Sequence, residues 1–179
     1  MADLVTLEEF QAHSGNTQNS ELVEQLIDQY SQVVRDYCNR EFTQEEITEY
    51  HDGGHNELIV KRPPISSITG VYDAHSNDDE VDFDDYTFEP NTGVIFGSDG
   101  NVIDWTAGRR KWKVVYTGDY NGAPDSVKLA MCLMISKTIA ARSAGLTSEK
   151  LGDYQYTISA DTIPPDIRTL LDKYRVVVL

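Results

Sequence analysis

Residues 20–42 read SELVEQLIDQYSQVVRDYCNREF, and the change of pattern that follows them decides the fold class. Within this stretch, apolar residues recur at steps of three and four: Leu22, Leu26, Ile27, Tyr30, Val33, Val34 and Tyr37. This spacing places the apolar side chains on one face of a helix. Asn19 or Ser20 is suited to cap the first turn. The sequence therefore predicts an amphipathic helix that ends near Arg40.

A shorter helix is predicted before it. Thr6 and Glu9 have the spacing of a capping box, in which the hydroxyl and the carboxylate each accept a hydrogen bond from a free backbone N–H. This helix is expected to run to about Ala12 and to stop near Gly15.

From about residue 43 to residue 118, the helical spacing disappears. Short runs of β-branched and aromatic residues alternate here with Gly, Pro, Asn and Asp, as is typical of strands and turns. The runs cover residues 58–60, 68–72, 81–88, 94–96 and 111–117. We predict a small antiparallel sheet in this region.

Helical spacing returns after residue 123. Pro124 fits the first turn of a helix, where its missing N–H is not needed. The helix is expected to reach about Ser143, to have almost no polar face, and so to be central or to lie in a subunit interface. Gly145 would end it, and residues 154–158 would form a short strand or an ordered loop. A last helix starts at Pro164-Pro165-Asp166, with Ile167, Leu170, Leu171 and Tyr174 on one face.

These elements predict an α+β fold in one chain of 179 residues. Residues 1–42 and 119–179 would form a helical domain, and residues 43–118 a β-rich insertion. Residues 175–179 would form a C-terminal arm, because an apolar tail after an amphipathic helix has no obvious partner in a compact monomer. Such a tail can add a strand to another subunit, although a last strand within its own β region is the alternative.

Charge and hydropathy exclude some classes of function. Thirty acidic against fifteen basic residues give a formal charge of −15, which disfavours wrapping a nucleic-acid backbone, so no sequence-specific nucleic-acid binding is expected. The N-terminus lacks the features of a signal peptide. The most apolar stretch is interrupted by Ser136 and Lys137, so no membrane segment is expected.

Several side chains invite a chemical interpretation, each beside a simpler one. His51 and His55 could bind zinc, but a glycine turn explains the segment between them. Arg109-Arg110-Lys111-Trp112-Lys113 mixes cations with an aromatic ring as single-strand binders do, but a strand with Trp112 inward is favoured.

Cys38, Met131, Cys132 and Met134 are expected to be core residues, with both thiols reduced. No catalytic motif is present, so we expect no catalytic residues, no metal and no cofactor.

Two stretches are candidate functional surfaces. The first is an acidic surface, expected to face a channel or the exterior, within an alternating stretch that resembles a solvated strand more than a calcium loop. It is formed by Asp78, Asp79, Glu80, Asp82, Asp84 and Asp85. The second is the C-terminal interface formed by Tyr174, Arg175, Val176, Val177, Val178 and Leu179.

The order of the elements is similar to that of a known family. A long helix ends in YCNREF at residues 37–42, and three later segments carry the likeness: residues 50–71, with Pro63-Pro64-Ile65 inside; residues 124–130; and SEKLGDYQY at residues 148–156. The chain resembles the head–tail connector proteins of tailed bacteriophages, also called adaptors or head completion proteins.

This resemblance implies a structural virion protein of the phage neck, assembled in the host cytoplasm. It implies a homo-oligomeric ring, commonly of twelve copies, around the DNA channel. The ring would bind the portal protein, which adaptor C-terminal arms contact, and a tail terminator, stopper or other neck protein. Two other classes stay open: an acidic monomeric binding module or DNA mimic that captures a basic partner, and a metal-dependent hydrolase at His51 and His55.

Overall fold

The computed structural model describes residues 3–17, 19–98, 105–143 and 163–176. Its helices and antiparallel sheets confirm the predicted α+β class. The described residues divide into a helical unit, within 1–42 and 122–179, and a β-rich unit, within 43–121.

The first two helices end within two residues of the predicted positions, and Asn19 precedes the second helix without a capping side-chain hydrogen bond. Helix α1 spans Leu7–Ser14, with both hydrogen bonds of the capping box formed between Thr6 and Glu9, and Gly15 follows with φ 67°. Helix α2 spans Ser20–Cys38 and ends at Asn39, which is also left-handed. The apolar side chains buried along α2 are Val23, Leu26, Ile27, Tyr30, Val33, Val34 and Cys38. The amphipathic pattern thus becomes the packing face of α2.

Two further helices are described in the helical unit. Helix α3 spans Asp125–Ser143, and most of its apolar side chains are buried, but Leu129 keeps 37% of its surface exposed. Helix α4 spans Pro165–Leu171, and one 3₁₀ turn, Asp172–Tyr174, extends it. Cys38 and Cys132 are buried free thiols, as predicted. The predicted cap at Gly145 and the segment 154–158 lie outside the described residues.

The β-rich unit contains two antiparallel sheets. The strands are β1 Glu45–His51, β2 Leu58–Ile59, β3 Ile65–Asp73, β4 Asp79–Glu80, β5 Tyr86–Glu89, β6 Val94–Gly97 and β7 Trp112–Gly118. One sheet has the order β1-β7-β3-β4 and the other the order β2-β6-β5. Along β7, Trp112, Val114 and Tyr116 point into a shared core that also contains Trp105, whose ring meets that of Trp112 edge to face at 5.1 Å.

Two predictions for this unit were wrong. The run 81–88 is not one strand: the Asp82 carboxylate accepts a hydrogen bond from the backbone N–H of Asp84 and starts a 3₁₀ turn at Phe83–Asp85, so that only Tyr86–Glu89 is extended. An aspartate at such a position competes with the strand conformation. In addition, β1 was not among the predicted runs, although it pairs with β7 along its whole length.

No described helix combines the length and apolarity that crossing a bilayer requires.

Candidate functional site

The C-terminal segment packs against the end of α2 in the helical unit. Ile167, Leu171 and Tyr174 are buried, and the ring of Tyr174 meets that of Phe42 edge to face at 6.3 Å. This contact is worth roughly 1 kcal/mol beyond the area it buries. Tyr174 therefore anchors the segment within its own chain, and its side chain is 7% exposed.

Backbone hydrogen bonds fix the segment beyond this anchor. Arg40 Nε donates to the carbonyl oxygen of Tyr174 at 2.7 Å. Two residues further on, the backbone N–H of Val176 donates to the carbonyl oxygen of Cys38 at 2.9 Å. The last backbone carbonyls of a helix have no partner within the helix, and here the N–H of Val176 supplies one for Cys38. These bonds hold residues 174–176 against the end of α2.

An aromatic and ionic cluster lies on the solvent-facing side of this C-terminal segment. The hydroxyl of Tyr37 donates a short hydrogen bond to Asp172, which raises the pKa of Tyr37. The guanidinium of Arg175 lies over the Tyr37 ring, 5.4 Å from its centroid, a cation–π geometry. Arg175 is exposed, and Val176 is half-buried. Residues 177–179, the rest of the predicted interface, lie outside the described residues.

The sequence shows only part of this arrangement. The apolar positions of α4 were visible from their spacing, but Arg40 and Tyr37 carry no motif. Arg40 is 8% exposed, which is unusual for arginine. Helix α2 ends at Asn39, which is left-handed, and the last backbone carbonyls of a helix lack partners within it. An arginine directly after such a helix end is the one signal that could have indicated the role of Arg40.

The predicted acidic surface lies at the β4 edge of the larger sheet and in the loop after it, and all six of its acidic residues are exposed. Three of them have partners in the β-rich unit. Asp78 pairs with Lys113 at 2.7 Å, Asp79 accepts a hydrogen bond from Ser76, and Asp82 caps the 3₁₀ turn. Part of this surface is therefore used to shape the hairpin between β3 and β4.

The basic run 109–113 leads into β7 with Trp112 buried, as the strand interpretation expects. Its cations face aromatic rings and acids of the same unit. Arg110 lies over the ring of Tyr50 at 4.9 Å, and Lys113 lies over Tyr72 at 4.5 Å. Lys111 is 3.4 Å from Asp73. These contacts account for the mixture of charge and aromaticity without a nucleic-acid strand.

The segment 51–55 forms a turn against the loop before β7. The N–H of Gly53 donates to the carbonyl of Gly108 at 2.8 Å, and Gly54 has φ 98°. A Cβ at Gly53 would collide with the backbone carbonyls of Thr106 and Trp105. Gly54 is therefore needed for its left-handed backbone conformation, and Gly53 for the close approach of the turn to the backbone at Trp105 and Thr106.

A polar cluster lies beside this turn that sequence reasoning missed. Glu49 accepts a hydrogen bond from the Tyr116 hydroxyl at 2.7 Å and lies 3.2 Å from His51 Nε2. Burial raises the pKa of the Glu49 carboxyl, but its interactions with His51, Tyr116 and the N–H of Lys61 outweigh burial, so the pKa is lowered. Burial and the bond to Glu49 raise the pKa of Tyr116. The side chains of Glu49 and His51 are only 10% and 12% exposed.

An open pocket of about 420 Å³ adjoins His51 and is lined by His51, Asp52, His55, Glu57, Leu58 and Ile59. Within the described ranges, no three His, Cys, Asp or Glu side chains are grouped so that they could hold one metal ion. The arrangement thus gives no support to zinc at His51 and His55.

Comparison with known proteins identifies the family. The family model described as head completion protein matches residues 3–177. Among curated proteins, none is significantly similar to this sequence. In fold, the chain is similar to a chain in the virion of a native gene transfer agent particle, with a TM-score of 0.50 and 10% identity, covering 98% of this chain and 91% of the other.

A second similar chain comes from the neck of an empty gene transfer agent particle, computed with C6 symmetry; its TM-score is 0.50 and its identity 11%, with the same coverage of 98% and 91%. At such identities these structures show a shared fold. The family match confirms the resemblance seen in the sequence. The chain belongs to the head completion protein family.

Proposed function

We propose that this protein is a structural subunit of a phage-type virion neck that forms a ring, of twelve copies, around the DNA channel. The observation that carries the proposal is the head completion family match, which spans residues 3–177. The fold shared with a chain from a neck solved with sixfold symmetry is compatible with twelve copies. The role is mechanical, and no catalytic step is part of it.

The helical unit is the proposed contact between neighbouring copies. On α3, Leu129 is exposed, and Leu133 and Ala140, at helical spacing from it, lie at the same surface. An exposed leucine on a helix whose other apolar side chains are mostly buried favours packing against another subunit. In a closed ring, the same weak contact forms between every pair of neighbouring subunits, so no subunit is left with an uncovered contact surface.

The C-terminal segment is the proposed contact with the portal. Tyr174 and Arg40 fix the base of the arm, and Arg175 to Leu179 would extend from it toward the partner. A base held in one place lowers the entropy cost of ordering the arm when it binds. Twelve arms on one ring would bind many times over, so the avidity would exceed the affinity of one arm. The opposite face would meet a tail terminator, stopper or other neck protein.

The acidic surface, from Asp78 to Asp85, is proposed to keep DNA from adhering to the neck. Its carboxylates are exposed, and like charges repel a phosphate backbone. Replacing Asp79, Glu80, Asp84 and Asp85 with amides should slow DNA ejection from assembled particles. Unchanged ejection rates would remove this part of the proposal.

Ring formation is tested with Leu129→Asp. We expect the wild-type protein, mixed with portal, to give rings by negative-stain microscopy and a matching sedimentation coefficient. Leu129→Asp should stay folded by circular dichroism but fail to form rings. Thr169→Asp, an exposed substitution on α4, serves as the control. A folded wild-type monomer under all these conditions would favour the acidic binding-module alternative.

A further inference from the structure

The outer face of the smaller sheet carries an exposed apolar strip. Ile59 on β2 is 59% exposed, and Phe96 on β6 is 37% exposed. Val94 lies opposite Ile59 in the register of these strands. The alternate residues, Leu58 and Ile95, are buried in the core. Isolated apolar residues are common on surfaces, but a contiguous strip on one sheet face indicates a contact.

Acidic residues lie next to this strip. Glu89 on β5 is opposite Val94, so Ile59, Val94 and Glu89 form one row across the sheet. Glu57 lies two residues before Ile59, just ahead of β2, and both glutamates are exposed. Neither makes an ion pair with a described residue. The strip therefore suits an apolar segment that carries positive charge at its margins.

The same strand forms the edge of its sheet. In the order β2-β6-β5, strand β2 pairs with β6 on one side and has no described strand on the other. The 420 Å³ pocket opens at this edge, with Leu58 and Ile59 in its wall and Asp52, Glu57, His51 and His55 around it. An edge strand with a groove beside it can accept a further strand, whose backbone supplies affinity and whose alternate side chains enter the groove.

We propose that the β2 edge binds an extended segment of another protein, in which apolar residues alternate with lysine or arginine. The apolar side chains would lie beside Ile59, next to Val94 and Phe96. The basic side chains would alternate to the other face of the added strand and point into the pocket toward Asp52. This surface lies in the β-rich unit and is separate from the ring and portal contacts proposed above.

The test uses a capped synthetic peptide, acetyl-VKVKVKV-amide, titrated into the full chain and followed by calorimetry and amide chemical shifts. We expect saturable binding, with shifts centred on β2 and the 51–59 turn. Ile59→Ser should weaken binding at least tenfold. Asp84→Asn, at an exposed acid in the 3₁₀ turn before β5, should leave binding unchanged. A peptide with proline in place of its third residue, a valine, cannot continue a strand there and should not bind.

Three outcomes would overturn the inference: no binding at millimolar peptide, equal binding of acetyl-VEVEVEV-amide, or shifts centred on residues 78–85, which would indicate general attraction to acid. Ring assembly is measured independently by microscopy. Rings without peptide binding would remove this inference alone, and peptide binding without rings would remove the proposed function alone.

Discussion

Arg40 Nε donates a hydrogen bond to the carbonyl oxygen of Tyr174 at 2.7 Å, and both residues are buried. This bond joins the segment just after α2 to the 3₁₀ turn that extends α4. Arg40→Met keeps much of the side-chain volume but removes the charged donor and leaves a buried carbonyl without its partner. We expect the free energy of unfolding to fall by about 2 kcal/mol, measured by urea denaturation.

Arg175→Met is the matched control. Arg175 contacts Tyr37 from the exposed side, so its loss should change the free energy of unfolding by about 0.5 kcal/mol or less. Equal losses for the two variants would show that the Arg40 bond does not hold the C-terminal segment.

Gly53 is predicted to be the least replaceable residue of the 51–55 turn. A Cβ there meets backbone oxygens, which cannot move aside as a flexible side chain does. We expect Gly53→Ala to lower stability by about 3 kcal/mol, measured by urea denaturation. At Gly15 a Cβ meets nothing within 4 Å, and only the left-handed φ of 67° opposes it. Gly15→Ala should therefore cost about 1 kcal/mol; the reverse ranking would refute the steric explanation.

The Glu49 cluster predicts a pH dependence. The folded-state pKa of Glu49 is lowered, so the folded protein prefers the ionised carboxylate more strongly than the unfolded chain does. This contribution to stability is present above the ordinary pKa of a glutamate and is lost as pH falls through the lower, folded-state pKa. Glu49→Gln should therefore flatten the fall in unfolding free energy between about pH 5 and pH 3.

Glu57→Gln removes an exposed carboxylate from the same region and provides the comparison. The pH profile of this variant should follow that of the wild type. If Glu49→Gln also follows it, the buried carboxylate does not contribute to stability through its ionised form.

Both cysteines are predicted to be unreactive in the folded protein. Burial raises the pKa of Cys38 to about 12 and also raises that of Cys132, and the thiolate is the reactive form. A thiol-specific colorimetric reagent at pH 8 should release almost no signal from the native chain and two equivalents after denaturation in guanidinium. Rapid reaction of either thiol in the native state would contradict the packing of α2 and α3.

The helical unit was largely predictable because its signals are local. Thr6 and Glu9 lie three residues apart and form the cap themselves, and the apolar spacing of α2 directly gives its buried face. The β-rich unit was harder. Strand β1 reads EEITEYH, and its inward positions are Ile47, Glu49 and His51. Two polar residues on the core side resemble a surface segment in the sequence; the hydrogen-bond donor to Glu49 is Tyr116, 67 residues away.

The candidate site shows the same limit. The tail 174–179 was noticed because it is apolar, but its base depends on Arg40 and Tyr37, which are more than 130 residues distant in sequence. Every residue has a backbone carbonyl, so a hydrogen bond to a carbonyl leaves no pattern in the sequence at the acceptor residue. Tyr174, predicted as part of the partner interface, is placed at the buried base of the arm.

The most direct test of the neck proposal is native mass spectrometry of the purified protein mixed with the portal protein encoded beside it. A version truncated after Val176 keeps every described contact of the C-terminal segment. We predict a portal complex that carries twelve copies of the intact chain, and loss of that complex on truncation while the chain stays folded. An intact chain that remains monomeric and does not bind the portal would contradict the account.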